Sequence, residues 1–194
     1  MNRSLRAILL AALAVALAPP LARGAPQADD EETPVPPSER RGPSTPAERK
    51  KALTVTRRLE KDPLGKGAPA DRRWLFEWIV AIPDVNVKSC SGPLDFLVEQ
   101  QGTRHARELY VQSVFGMAAY IIEHPKKQAE DLEVQRAGVE STLRAYRSLV
   151  ERDSANRWPE LDELLAAQKA GKLGEVMKQA VDCSGGGGVP EDAI

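Results

Sequence analysis

The sequence predicts an all-α protein, a small irregular bundle of about five to seven helices around one buried central helix. Apolar side chains recur at helical spacing in several separate segments, and helix-starting and helix-ending residues flank those segments. One of them, residues 103–123, is apolar on nearly every face, which is typical of a helix at the centre of a bundle. No convincing pair of strands and no internal repeat is found, so sandwich, barrel and solenoid folds are excluded.

Residues 1–24 have the pattern of a cleavable secretory signal. Two arginines precede the apolar run Ala7–Ala18, which at about 12 residues is too short to span a bilayer. Ala22 and Gly24 supply the small residues expected before a cleavage site. We therefore expect export to the periplasm or the medium, with no transmembrane segment after cleavage.

The segments on either side of the helical region are low in apolar residues. Residues 25–45 are rich in proline and contain the acidic run Asp29–Glu32, and residues 185–194 begin with glycines, so both are predicted to be disordered. A single helical domain is predicted between them, at 46–184. Loss of the signal changes the formal net charge from −1 to about −4, which argues against nucleic-acid binding.

The only two cysteines, Cys90 and Cys183, are predicted to form a disulfide. Export places them in an oxidising compartment, where such pairs persist. The alternative, a redox or nucleophilic thiol, has no C-x-x-C motif to support it.

The first two predicted helices differ in character. Thr45, Pro46 and Glu48 form a helix-start signature, and the thin apolar stripe of 46–61 predicts a helix on the edge of the domain. The second helix, 69–82, is predicted to face the core. Its apolar side chains at helical spacing are Trp74, Leu75, Trp78, Ile79 and Ile82.

The rest of the domain is predicted to be helical after an irregular bend at 83–93. The expected helices are 94–99, 103–123, 128–152, 159–170 and 172–182. In the central one, Gly116 and Ala118 would allow a neighbouring helix to approach closely.

The histidines are weak candidates for a polar site. His105 and Glu108 share a helix face at i and i+3, a spacing that is used in helical metal sites, but two ligands do not make a site. An exposed first-turn pair is the simpler interpretation. His124 is expected to cap the other end of the same helix, too far away to share a metal.

Other candidate catalytic groups also have simpler interpretations. The carboxylates Asp84, Asp95 and Glu99 lie around the bend and would support hydrolysis only if two of them faced one cleft. Ser113 is expected to bond to the preceding helical turn rather than to act as a nucleophile.

Two larger groups of residues are candidates for binding. Trp74, Trp78 and Trp158 either line an apolar ligand pocket or belong to the core. The first two helices are rich in lysine and arginine, which would suit an anionic membrane, a wall polymer or the acidic segment of another copy. A merely solvated basic face is the alternative.

These observations favour a non-enzymatic extracytoplasmic binding or accessory module over an enzyme. None of the motifs G-x-S-x-G, H-E-x-x-H, G-x-x-x-x-G-K-[ST] or G-x-G-x-x-G occurs, and we expect no metal or other cofactor. The expected partner is a protein, a lipid or a cell-wall component. The alternatives are a carrier of small hydrophobic ligands and a hydrolase that uses carboxylates between residues 84 and 108.

Overall fold

The computed structural model describes residues 41–185. The predicted signal, nearly all of the predicted linker and most of the C-terminal tail lie outside these residues. The described helices all belong to one of two units into which the chain divides, Glu39–Ile194. The other unit, Met1–Ser38, falls outside the described part.

Seven α-helices make up the described region, which confirms the predicted fold class. They are α1 (Pro46–Lys61), α2 (Ala68–Ala81), α3 (Asp95–Glu99), α4 (Ala106–Glu123), α5 (Leu132–Arg152), α6 (Pro159–Lys169) and α7 (Leu173–Ala180). A short 3-10 turn, Ser154–Asn156, precedes α6. Between residues 41 and 185 the only β-type pairing is an isolated antiparallel bridge from Ser91 to Asp182.

The predicted central helix is α4, and its residues 109–119 are all buried. It packs along α5 with glycines at the crossing: a Cβ on Gly116 would lie 2.8 Å from the carbonyl oxygen of Ala137, and one on Gly138 would lie 2.9 Å from that of Ser113. Real Cβ atoms do not approach other atoms so closely. The two helices can therefore pack at this distance because both positions are glycine. The prediction for Gly116 is confirmed.

Two apolar clusters lie against α4. The first contains side chains of α1, α2 and α4, among them Leu59, Leu75 and Phe115. The second joins the start of α4 to the later helices through residues such as Leu109 and Tyr146. The central helix thus contributes to both halves of the core.

The thin apolar stripe of the first helix predicts a position on the edge of the domain, and this prediction is wrong. It packs on both α4 and α5, and Glu60 is buried among polar side chains of the bundle. One carboxylate oxygen of Glu60 accepts hydrogen bonds from Ser141 Oγ at 2.7 Å and from Arg144 at 2.9 Å, and Arg57 lies at 2.9 Å. Because these partners satisfy the carboxylate, a charged residue occupies a core position.

Two helices start three or four residues later than the sequence predicts. The central helix begins at Ala106 instead of 103, because Arg104 and His105 both have positive φ, 41° and 61°. The fifth begins at Leu132 instead of 128, after Gln128 N–H bonds to the carboxylate of Asp131. Local turns therefore replace the first helical turn at both places.

Cys90 and Cys183 lie at disulfide-bonding distance, with their Cα atoms 4.6 Å apart. The pair is flanked by the Ser91 to Asp182 bridge, in which both backbone N–H groups donate at 3.0 Å. The link joins the bend before α3 to the end of α7, as the sequence predicts.

Candidate functional site

A groove of about 510 Å³ opens between the first half of α2 and the start of α4. Its volume is within the range of small-molecule sites. The residues that line it combine cationic and apolar side chains: Pro69, Arg72, Arg73 and Phe76 from α2, and Arg107, Glu108 and Val111 from α4. We call this feature the arginine groove.

Arg72 is half-buried in the wall of the groove. One guanidinium nitrogen donates a hydrogen bond of 2.7 Å to the carbonyl oxygen of Pro63, which fixes the side chain. Burial lowers the pKa of Arg72, the charge of Glu108 opposes that effect, and the nearby Arg107 adds to it. An arginine stays protonated despite such a shift, so a partly desolvated positive charge lies in the wall of the groove.

The other charged residues of the groove are Arg73, Arg107 and Glu108. Within residues 41–185, Arg73 is exposed and has no carboxylate partner. Arg107 is half-buried, and Glu108 is the only acid in the lining. The lining thus holds three arginines and one glutamate. Such an arrangement favours an anionic ligand, since guanidinium groups bind phosphate and carboxylate in bidentate fashion.

The start of α4 is held in place by a tryptophan from another part of the fold. The guanidinium of Arg104 lies 4.6 Å from the ring centre of Trp158 and donates to the carbonyl oxygen of Arg157 at 2.6 Å. The indole N–H of Trp158 in turn donates to the carbonyl oxygen of Arg104 at 3.3 Å. These contacts stabilise the positive-φ turn, in which each strained residue costs about 1–3 kcal/mol. They thereby fix the position of Arg107 and Glu108 at the start of α4.

The remaining lining of the groove is apolar. Val111 is buried, Phe76 is half-buried and Pro69 is exposed at the first turn of α2. Phe76 and Val111 each lie one helical turn beyond an arginine of their own helix. The groove therefore offers apolar contacts beside its positive charge.

The predicted pair of His105 and Glu108 lies at this groove. His105 Nδ1 is 3.8 Å from a carboxylate oxygen of Glu108, and Glu108 belongs to the lining. His124 is at the opposite end of α4, where its ring lies 4.2 Å from that of Tyr120, centre to centre. Across residues 41–185, no three residues of the types His, Cys, Asp and Glu are grouped closely enough to hold a metal ion.

The candidate catalytic groups Asp84, Asp95 and Ser113 are hydrogen-bonded to other residues and not to one another. Asp84 accepts two hydrogen bonds of 2.7 Å from the backbone N–H and the hydroxyl of Ser44. Asp95 accepts from the backbone N–H of Gly92 at 3.0 Å, at the start of α3. The hydroxyl of Ser113 donates to the carbonyl oxygen of Tyr110 at 2.6 Å, which is the helix-internal bond that the sequence predicts.

The three tryptophans are divided between the two apolar clusters. Trp78 is buried and stacks on the half-buried Trp74, with ring centres 5.9 Å apart. Trp158 is buried in the other cluster, beside Phe96. None of these three residues lines the arginine groove.

Several basic residues of the first two helices have partners of their own. Arg49 pairs with Asp84, Arg58 with Asp71, and Lys51 lies 3.7 Å from the ring centre of Trp74. Arg72 and Arg73 instead join Arg107 of α4 at the groove. Neither Arg107 nor Phe76 is recognisable as a candidate from the sequence, because the meeting of α2 and α4 at the groove depends on how two separate helices pack.

Comparison of the chain with protein-family models, with curated proteins and with solved structures finds no match. Among the described residues, no helix has both the length and the apolar character needed to cross a bilayer.

Proposed function

We propose that the chain is a non-enzymatic extracytoplasmic binding module that recognises anionic groups of its partner in the arginine groove. The observation that carries this proposal is the convergence of Arg72, Arg73 and Arg107 on one groove with an apolar wall. The partly desolvated charge of Arg72 beside the exposed charge of Arg73 is a feature that stability alone does not require.

The bonding of the other reactive groups supports a binding role over catalysis. Asp84, Asp95 and Ser113 are each hydrogen-bonded to a different residue, and none of these bonds joins two of the candidate catalytic groups. A general base or a nucleophile needs such a partner within hydrogen-bond reach.

Export is the second part of the proposal. The signal pattern of residues 1–24 and the bonding distance between Cys90 and Cys183 support a periplasmic or secreted protein. Intact mass spectrometry of the protein from its native host tests this part. A start near Ala25 and a mass increase on reduction are expected, whereas a retained N-terminus with free thiols would contradict export.

Anion binding is tested with sodium tripolyphosphate and the purified, oxidised chain. Because a ligand that binds only the folded state raises the melting temperature, we expect a rise of several degrees at saturating probe. Arg73→Gln should reduce that rise strongly. Arg147→Gln, which removes an equal charge from an exposed position of α5 outside the groove, should leave it unchanged. Equal responses of the two variants would contradict a site in the groove.

A further inference from the structure

A pair of adjacent arginines, Arg40 and Arg41, stands where the proline-rich segment meets the helical domain. Arg41 is the first residue that the structure describes, and α1 begins five residues later, at Pro46. The bond from Arg41 to Gly42 belongs to the unit Glu39–Ile194, near its first residue. Residues 25–39 contain no lysine or arginine. The pair is therefore the first basic sequence after the predicted signal.

The backbone around the Arg41 to Gly42 bond has the form that an endoprotease binds. Residues 41–45 belong to no helix, and Arg41, Gly42 and Pro43 are all exposed. Because the residue before a proline is biased away from helical dihedral angles, Gly42 favours extended backbone. Thr45, which also precedes a proline, is extended, with φ −81° and ψ 157°. Exposed, non-helical segments of this kind are the preferred targets of proteolysis.

The side chain of Arg41 is only weakly tied to the domain. Its guanidinium pairs with the carboxylate of Glu48, and the two side chains are 37% and 30% exposed. An ion pair with this exposure contributes little to stability, so Arg41 can leave it to enter the pocket of a protease. Glu48 keeps its own hydrogen bonds to Thr45 without Arg41.

The domain side of the bond is held independently of Arg41. The backbone N–H and the hydroxyl of Ser44 each donate a hydrogen bond of 2.7 Å to the carboxylate of Asp84. The capping box of Thr45 and Glu48 closes the first turn of α1. A chain that begins at Gly42 therefore retains the hydrogen bonds that fix the start of the domain.

The other groups of adjacent basic residues are held in a turn or in helices. Lys126 and Lys127 follow α4, where the backbone N–H of Lys127 donates to the carbonyl oxygen of His124 at 2.9 Å and its side chain lies 3.3 Å from Glu133. The remaining groups are Arg49–Lys51 and Arg57–Arg58 in α1 and Arg72–Arg73 in α2. A helix must open before a protease can bind it, so these groups are protected.

We infer that the exported chain is a precursor that an endoprotease with acidic pockets for two basic side chains cleaves between Arg41 and Gly42. Such pockets pair a carboxylate with the basic side chain that they bind. Water adds across the peptide bond, so that Arg41 gains a carboxylate and Gly42 a free amine. The released residues 25–41 hold five acids and two arginines, and their loss changes the formal charge from about −4 to about −1. The inference requires export but no property of the arginine groove.

The first test is intact mass spectrometry of the protein from its native host, with cells lysed directly in denaturant. The wild type should give two forms, a precursor that begins near Ala25 and a product that begins at Gly42. Arg40→Gln combined with Arg41→Gln should lower the Gly42 product at least about tenfold, because the protease loses both charges that it recognises. Lys126→Gln combined with Lys127→Gln, which removes another adjacent pair, should leave the product unchanged.

The second test is limited digestion of the purified, oxidised chain with trypsin, which cuts after any lysine or arginine. The first cut should fall at Arg40 or Arg41, at least about tenfold faster than any cut in α1 or α2, since cuts there require local unfolding. The product should keep the near-ultraviolet circular dichroism of the uncleaved chain.

Each failure has a distinct meaning. A chain that retains residues 1–24 would refute export and the precursor with it, whereas a host protein that begins only near Ala25 would refute the second cleavage alone. A Gly42 terminus at full level in the Arg40→Gln, Arg41→Gln variant would refute recognition of the arginine pair. A Gly42 terminus that forms only during slow lysis without denaturant would be an artefact of preparation and would refute processing. A first tryptic cut inside α1 or α2 would contradict the exposed geometry of the bond.

Discussion

Gly116 on α4 lies directly against Ser141 on α5, at the point where the two longest helices of the bundle cross. A Cβ on Gly116 would come within 3.0 Å of Ser141 Oγ and 2.8 Å of the carbonyl oxygen of Ala137. The second of these contacts is with backbone, which cannot rotate away as a flexible side chain can.

Gly116→Ala should therefore lower the free energy of unfolding by about 1–3 kcal/mol, the usual cost of overpacking a core. Gly174→Ala is the matched control, because only a guanidinium nitrogen of Arg136 at 4.0 Å lies near its added methyl group. In α7 that control should be neutral or stabilise by up to about 1 kcal/mol. Urea denaturation measures both, and equal values would contradict the close crossing.

Glu60 joins α1 to α5, and its neutralisation should destabilise the bundle. Glu60→Gln removes the charge that pairs with Arg57 and Arg144, for an expected loss of about 1.5–3 kcal/mol, the usual value for hydrogen bonds to a charged group. Glu140→Gln, which breaks a solvent-exposed pair with Arg136, should cost less than about 0.5 kcal/mol. A Glu60 variant as stable as the Glu140 variant would show that the buried pair contributes nothing.

Asp84 should make stability depend on pH. Burial opposes its ionisation, but the hydrogen bonds from Ser44 and the charge of Arg49 outweigh that effect, so the pKa of Asp84 is lowered. A carboxyl whose pKa is lowered by folding contributes its full stabilisation when the pH is above its unfolded-state pKa of about 3.9. That contribution is lost as the pH falls through the pKa of the folded state.

Asp84→Asn should consequently cost about 1 kcal/mol near pH 7 and progressively less below about pH 4. Urea midpoints of the wild type and the variant across this pH range provide the measurement. Glu77→Gln, at an exposed position of α2, controls for the general effect of removing one carboxylate. A constant gap between wild type and Asp84→Asn down to low pH would mean that the ionised carboxylate is not the stabilising species.

The Cys90 to Cys183 link should stabilise the fold by lowering the conformational entropy of the unfolded chain. It spans 93 residues, and loss of a native disulfide costs about 2–5 kcal/mol. The double variant Cys90→Ala with Cys183→Ala should be less stable by that amount and insensitive to dithiothreitol. Wild-type protein treated with dithiothreitol should match it. A wild type that reductant leaves unchanged would contradict the bond.

Apart from the Cys90 to Cys183 pair, which follows from the presence of only two cysteines, the features that the sequence predicts correctly are encoded by neighbouring residues. The capping box of Thr45 and Glu48 fixes the start of α1, and the uncharged run of α4 indicates its burial before any partner is known. The burial of Glu60 was missed because it depends on Ser141 and Arg144, which a distant helix supplies.

The candidate site was predictable only in part, for the same reason. His105 and Glu108 were identified by their spacing, and the positive charge of α2 was evident from composition. Which arginines meet depends on the turn that Trp158 stabilises at Arg104, and on partners such as Asp71 that neutralise Arg58. Local patterns carry no information on either contact.

The most direct test of binding in the arginine groove is an NMR titration of the ¹⁵N-labelled, oxidised chain with sodium tripolyphosphate. Shifts should concentrate in the amides of Arg72, Arg73, Phe76, Arg107 and Val111, and the residues of α7 should remain unchanged. Shifts confined to the lysines of α1, or spread evenly over the surface, would contradict a binding site between α2 and α4.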